Sequence, residues 1–391
     1  MDPEKFLDFY SLETHRLFVD VSELIKHDAG TGIQRVTKSI LNVWKVVPPH
    51  DFKVIPVYEK DGIYREASLF FTKDVKDKLD LINDNIVYGQ KGDVFLGLDL
   101  NLTVVRNQQI FKEWSNRGVK ICFIVHDILP VLLPDMFDEE LSAAFASWLN
   151  TVLNISDKLI CVSQSVANEL NNYIYQKKLQ YNNRLRISWN THGADLKTIN
   201  PEIDFSSTYL NVLRSLQAKP SFLQVGTLEP RKNHFQVLTA FESLWANGLD
   251  INLIFVGKKG WKVEKLVEKL HTHPEKGKHL YWLEGVNDDF LNVLYSASTC
   301  LIMPSIGEGF GLPLIESAKH DLPIIARDIP VFREVAGNCA FYFKGVTSED
   351  IAEAIRQWLS LYRIGNFPKS SEMSWKTWEE SAQQLLKILC E

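Results

Sequence analysis

Cysteine is scarce in this chain of 391 residues, and its five copies (Cys122, Cys161, Cys300, Cys339 and Cys390) are far apart. No cysteine-based zinc site is supported by that spacing. Three of them sit inside apolar runs (KICFIV, DKLICVS, STCLIMP), which suggests buried, reduced thiols in a cytoplasmic protein. No stretch approaches the roughly 18 uninterrupted apolar residues of a membrane span. The segment Met1 to Thr14 carries Asp2, Glu4, Lys5, Asp8 and Glu13 and has neither a basic start nor an apolar run, so it does not read as a signal peptide. A basic surplus is missing too: 43 Lys plus Arg stand against 49 Asp plus Glu, a net charge of −6, which argues against nucleic acid as a partner. There is no Asp-x-Asp to clamp a divalent metal on a diphosphate and no Walker loop, and the histidines form no metal constellation. No metal and no cofactor are expected.

What is present is an ordinary globular composition, 45% hydrophobic and 24% charged, at a length that exceeds a comfortable single core. Short apolar runs alternate with segments of helical period, the pattern of parallel sheets covered by helices on both faces. Strand-like runs in the first half are RLFVDV, KVIPVY, DVFLGL, KICFIVH, KLICVS and RISWNTHG. After the polar passage Asn200 to Pro220 come FLQVG, INLIFVG, HLYWLEG, TCLIMPS, LPIIAR and CAFYF. The expected fold is α/β, with one doubly wound Rossmann-like domain over 1–199 and a second over 200–373. The segment 374–391 reads as a helix with Trp378, Ala382, Leu385, Leu386 and Leu389 on one face. Two such domains would face each other across a cleft, with ligands beyond the carboxyl ends of the strands.

The most informative string is SIGEGFGLPLIESA, Ser305 to Ala318. Glu308 precedes Gly309, Phe310 and Gly311, a helix opens at Leu312 and Pro313, and Glu316 follows inside it. Glycines admit close backbone approach, and the free amides of Leu312 and Leu314 at a prolyl helix start would attract an anion such as a diphosphate. In GTLEPRKNH, Arg231 and Lys232 stand at the expected start of the next helix, where cations oppose the dipole and need an anionic ligand or a carboxylate nearby. HDAGTGIQRV opens a helix with Gly30, Thr31 and Gly32, a partial dinucleotide fingerprint. VHDILP places His126 at a strand end, where it could carry a proton or anchor a hydroxylated substrate.

With these strings in order, the chain resembles the retaining GT-B glycosyltransferases of family 4 over nearly its full length. The resemblance rests on Glu308 and Glu316 with seven residues between them, on GTLEPRKN, on LEGVNDDFLNVLYSAS, on VHDILP and on HGAD (His192 to Asp195). GTGIQRV, TLEPRKNH and VGKKGW look most like bacterial enzymes that add mannose from GDP-sugars in surface-polysaccharide synthesis. The resemblance implies a retaining transfer onto a saccharide or lipid-linked saccharide in O-antigen or lipopolysaccharide synthesis, with the nucleotide-sugar as substrate. It implies that Glu308 contacts the donor sugar, that Glu316 holds the ribose hydroxyls, and that Arg231 and Lys232 neutralise the diphosphate with the amides around Gly311 and Leu312. Val286 would hold the base through its backbone, Thr31 and Gly32 would approach the phosphate, and His126 would sit beside the donor sugar and acceptor hydroxyl. It further implies that the final helix returns to complete the N-terminal domain. Thr227 departs from the pattern, since many members carry Arg at that place. A nucleotide-sugar epimerase of the same fold and a catalytically inactive nucleotide-sugar-binding scaffold are the alternatives. The basic stretch QKKLQYNNRLR could touch anionic lipid at the inner membrane face, although a solvated surface accounts for it as well.

Overall fold

The apolar runs become strands buried along almost their whole length, as KICFIV and NLIFV illustrate, because helices cover both faces of the sheets they form. The computed structural model describes residues 15–28, 30–68, 70, 85–194 and 207–391. The expectations made for Met1 to Thr14 and for Asp195 lie outside the described residues.

One sheet has seven strands: β1 (His15–Asp20), β2 (Phe52–Lys60), β3 (Ile63–Glu66), β4 (Val94–Gly97), β5 (Lys120–Val125), β6 (Lys158–Cys161) and β7 (Arg186–Trp189). Their order is β3-β2-β1-β4-β5-β6-β7. All pairs are parallel except β2 with β3. That hairpin turns at Asp61 and Gly62, both at positive φ (55° and 78°), which an Asp-Gly pair adopts readily. A second sheet has β8 (Ser221–Val225), β9 (Asn252–Val256), β10 (Leu280–Leu283), β11 (Cys300–Met303), β12 (Ile324–Arg327) and β13 (Phe341–Phe343) in the order β10-β9-β8-β11-β12-β13, all parallel. In each sheet the winding reverses once, between β1 and β4 and between β8 and β11. Those reversals open a crevice at the carboxyl ends of the strands.

The described residues of Met1–His126, Ala144–Gly193 and Trp378–Glu391 form one compact unit, and those of Asp127–Ala143 and Ala194–Thr377 form the other. The first has a core of aromatic rings, with Phe18, Tyr64, Phe95, Phe111, Trp114 and Phe123 buried and in edge or tilted contact. The last helix, Trp378–Cys390, belongs to it and buries Trp378, Ala382, Leu385 and Leu389. Ser381 Oγ donates to the Thr191 carbonyl at 2.8 Å. Lys120 Nζ donates to the Leu389 carbonyl at 3.0 Å and Lys158 Nζ to that of Ile388, so two cations meet the carbonyl end of the helix, where its dipole favours positive charge.

The assignment of Asp127–Ala143 to the second unit departs from the sequence reading, which left the first domain unbroken to residue 199. Packing explains it. Leu129 and Leu133 lie over Gly307, where an added Cβ would come within 2.7 Å of Leu129. Phe137 stacks on Trp261 with centroids 5.6 Å apart, and the Trp261 indole N–H donates to the Met136 carbonyl at 2.9 Å.

Candidate active site

Two loops flank the reversal in the second sheet, one after β8 and one after β11, and they carry Arg231, Lys232 and Glu308. The β8 loop is placed by backbone contact. Gly257 has φ 154°, and a Cβ there would stand 2.0 Å from the Gly226 carbonyl oxygen, so only glycine lets the ends of β8 and β9 meet. Leu228 N then donates to the Lys258 carbonyl at 2.9 Å and Gly260 N to that of Leu228 at 3.0 Å. Pro230–Lys232 form one 3-10 turn, and Asn233 at φ 62° separates it from the helix His234–Ala246. Arg231 and Lys232 therefore precede that helix rather than open it, a correction to the sequence reading.

Their partners are carboxylates. Arg231 Nη1 donates to Glu308 Oε2 at 2.8 Å and to the Gly307 carbonyl at 3.0 Å, while Nη2 donates to Glu229 Oε1 at 2.8 Å. Lys232 Nζ donates to Glu308 Oε1 at 2.6 Å, and Ser305 Oγ donates to the same oxygen at 2.8 Å. Glu308 is only 7% exposed, so it is no solvated loop residue. Burial alone would raise its pKa, yet the charges of Arg231 and Lys232 and their hydrogen bonds hold it down at about 2. Glu229 and Asp127 are affected oppositely: burial pushes both carboxyls up, against the pull of Arg231. Two cations thus face three acidic groups, of which Glu308 is the one held firmly ionised.

The string that follows is partly as expected. Gly311 sits at φ 93° just before the helix Leu312–Ala318, with Pro313 in its first turn. The amide of Leu314 is not free, since it donates to the Gly311 carbonyl at 2.9 Å. Gly309 and Phe310 are buried in the loop between Glu308 and Gly311. Glu316 lies past the first helical turn, so complementing the helix dipole does not account for it. Its Oε2 accepts from the Tyr295 hydroxyl at 2.7 Å. Val286 is half-buried in the turn between β10 and the helix Asp288–Ala297, which Asn287 caps by accepting from Phe290 N at 2.8 Å.

In the first unit Thr31 and Gly32 start the helix Gly32–Val46 through a reciprocal capping box, in which Thr31 Oγ1 accepts from Gln34 N and Gln34 Oε1 accepts from Thr31 N, each at 3.3 Å. A Cβ on Gly32 would meet nothing within 4 Å. His126 directly follows β5, buried, with Nε2 2.9 Å from the Leu98 carbonyl. That contact makes Nε2 the protonated nitrogen and Nδ1 the acceptor. Burial pushes its pKa down to about 4, so the ring is neutral at physiological pH. His192 of the HGAD string lies beside it, ring centroids 6.2 Å apart, and is pushed to about 3 by burial and then by His126. The sequence reading named none of Asp127, Glu229 and Ser305 as partners of this machinery and gave Tyr295 no role. For Glu229 the signal was its place beside two cations at a strand end. Among the described residues no three His, Cys, Asp or Glu side chains gather as a metal site would require.

Comparison with known proteins bears on this geometry. Residues 208–374 match the family described as glycosyl transferases group 1. That match covers less than half of the chain. The serotype-specific mannosyltransferase WbdA of Escherichia coli is 41% identical over 391 residues, covering 97% of this chain and 47% of WbdA. The chain thus spans about half the length of the curated relatives it matches so extensively. The O-antigen chain mannosyltransferase RfbU of Salmonella typhimurium is 28% identical over 224 residues, 56% of this chain and 55% of RfbU. Among solved structures, sucrose-phosphate synthase of Thermosynechococcus elongatus superposes with a TM-score of 0.65 at 15% identity, over 96% of this chain and 98% of that one. Anabaena HepE in complex with UDP and glucose gives 0.63 at 14% identity, over 96% and 99%. The fold is that of the GT-B glycosyltransferases, two Rossmann-like units in one chain. Within the matched residues 208–374 lie β8 to β13, the Arg231–Lys232–Glu308 cluster and Glu316.

Proposed function

We propose that the chain transfers mannose from GDP-mannose to a saccharide or lipid-linked saccharide, with retention of configuration and without a metal, in O-antigen-type polysaccharide synthesis. The observation that carries this reading is the buried Glu308 carboxylate held between Arg231 and Lys232 at the reversal between β8 and β11. Cleaving a sugar–phosphate bond puts negative charge on the departing diphosphate and positive charge on the anomeric carbon. Arg231 and Lys232 are preorganised donors for the first, and an ionised Glu308 suits the second. Held near pKa 2, Glu308 has no proton to give at neutral pH, so it is not a general acid. Both its oxygens are committed to hydrogen bonds, which also suits an electrostatic role better than nucleophilic attack.

Glu316 and Val286 are assigned to the ribose and base, Gly309, Phe310, Gly311 and Leu312 to backbone contact with the diphosphate, and Thr31, Gly32 and His126 to the donor phosphate and the reacting sugar. Mannose is supported by the relatives' names, WbdA and RfbU both being mannosyltransferases, whereas GDP rests on the resemblance of TLEPRKNH and VGKKGW to enzymes that use GDP-sugars. Incubating the protein with GDP-, UDP- and ADP-sugars and a mannan acceptor in EDTA tests this. Acceptor-dependent transfer of mannose with an α-linkage is expected. Loss of activity in EDTA that Mg²⁺ restores, an inverted linkage, or turnover without acceptor would contradict it.

Peripheral contact with an anionic membrane is part of the same reading. No helix among the described residues is long and apolar enough to cross a membrane. Residues 170–189 contain Lys177, Lys178, Arg184 and Arg186 and no acidic residue, in a chain of net charge −6. All four cations are exposed, as are Tyr175 (85%), Tyr181 (51%) and Trp189 (43%). Cations with amphipathic aromatics suit an anionic headgroup layer. Salt-sensitive flotation with phosphatidylglycerol vesicles, lost in a K177E/K178E variant, is expected. Equal recovery with neutral vesicles would contradict it.

A further inference from the structure

Within the matched residues 208–374, the helix Asp288–Ala297 presents Asn292, Tyr295 and Ser296, spaced so that all three lie on one side of the helix. Tyr295 is 1% exposed, yet its hydroxyl reaches Glu316 Oε2 at 2.7 Å. Its ring lies nearly parallel to that of His320, at 6° with centroids 5.6 Å apart. His320 is fixed in turn at both nitrogens: Nδ1 lies 2.8 Å from Ser296 Oγ and Nε2 3.2 Å from Asn292 Oδ1. A buried phenol spends its one donor on a half-buried carboxylate, and the phenol is itself held by a ring pinned to its own helix.

We propose that Tyr295 is a positioning residue for nucleotide binding: it fixes the rotamer of Glu316 so that the carboxylate presents its remaining acceptor capacity to the two ribose hydroxyls of the donor. The proposal rests on the assignment of Glu316 to the ribose. A carboxylate has two oxygens and about four acceptor sites, so the bond from Tyr295 does not by itself exhaust Glu316 as an acceptor for a diol. Losing that bond widens the range of rotamers open to Glu316, from which binding would have to select one. Tyr295 thus contributes to affinity without touching the nucleotide.

The test is calorimetric titration of GDP and of 2′,3′-dideoxy-GDP into the whole chain, for the wild type and Tyr295→Phe, Glu316→Ala and His320→Leu. Tyr295→Phe removes one oxygen and keeps the ring stack. It should weaken GDP by about tenfold, the scale of one hydrogen bond to a charged group, and leave the dideoxy nucleotide unchanged. In the Glu316→Ala background the same substitution should have no further effect. His320→Leu frees the Tyr295 ring and should weaken GDP in the same selective way, which keeps the proposal open to refutation if Tyr295→Phe does not fold. Equal weakening of both nucleotides by Tyr295→Phe or His320→Leu would mean a merely structural role and overturn the proposal. So would unchanged GDP binding by Tyr295→Phe beside weakened binding by Glu316→Ala. If Glu316→Ala itself bound both nucleotides as wild type does, the ribose assignment would fall, and the positioning role with it.

Discussion

The two sheets reverse their winding in the same way, yet the chemistry at the two reversals is opposite. Between β8 and β11 two cations, Arg231 and Lys232, hold a carboxylate ionised. Beyond β1 and β4 the buried groups are carboxylates bonded to neutral donors. Asp20 accepts from Ser22 N at 2.9 Å, from the Ser22 hydroxyl, from Tyr64 at 3.1 Å and from Asn101 at 3.0 Å, and Asp99 accepts from Leu24 N and Leu100 N. Burial raises the pKa of Asp20, and burial together with the charge of Asp20 raises that of Asp99 to about 6. Topology supplies two crevices. Among the described residues only the second pairs its buried carboxylate with cations, which is why the nucleotide is assigned there.

Removing residues 378–391 should have the largest effect on this contrast. The burial of Trp378, Leu385 and Leu389, worth about 1.5–3 kcal/mol each, would be lost, enough to exhaust much of a unit's stability. Hydrogen exchange should rise across β1 to β7 and stay slow across β8 to β13. Uniform loss in both would show that the units do not fold separately.

Next comes Glu308. Glu308→Gln should lower transfer by about a thousandfold or more, a barrier change of roughly 4 kcal/mol. Glu308→Ala should also lower the melting temperature, because it leaves Arg231 and Lys232 buried beside an empty volume. The sequence called for an anion or a carboxylate near these cations without naming Glu308 as their partner, since the ion pairs join residues 77 and 76 positions apart. Activity of either variant within tenfold of wild type would remove Glu308 from the reaction.

The pH dependence of stability separates the two reversals by sign. Glu308, held at about 2 against an ordinary 4.5, supports the fold above pH 4.5, and that support is lost as pH falls toward 2. Asp99, raised to about 6 from 3.8, favours the fold when protonated, so its contribution is full below pH 3.8 and is lost as pH rises through 6. Urea unfolding of Asp99→Asn should therefore show a gain over wild type that grows from pH 4 to pH 7, to about 3 kcal/mol. A constant difference across that range would mean that Asp99 is ionised in the folded chain. The smallest effect belongs to Gly32→Ala. With open space at its Cβ, stability should change by less than about 1 kcal/mol, while the donor KM rises severalfold. An unchanged KM would remove Gly32 from the phosphate.

Much of this was legible in the residues. Strands buried on both faces announce themselves as apolar runs, and the order of Glu308, Gly309, Gly311, Pro313 and Glu316 locates the loop. Three things were not legible. The strand Ile63–Glu66 has no place in the sequence reading, because the expected strand KVIPVY ends at Tyr58, short of the observed Phe52–Lys60, and so leaves the Asp61-Gly62 turn without a strand running into it. The transfer of Asp127–Ala143 to the second unit depends on Leu129 meeting Gly307 and Phe137 meeting Trp261, contacts between segments far apart in sequence. The binding of Arg231 and Lys232 to Glu308 depends on β8 lying next to β11, a pairing that no local pattern encodes.

The claim that the nucleotide diphosphate binds at the reversal between β8 and β11 is tested most directly by hydrogen exchange with and without saturating GDP, UDP or ADP, whichever calorimetry finds tightest. Nucleotide should slow exchange in residues 226–233 and 305–316, and Lys232→Met should abolish this protection. Protection confined to residues 20–27 and 97–103, with 226–233 and 305–316 unchanged, would contradict it.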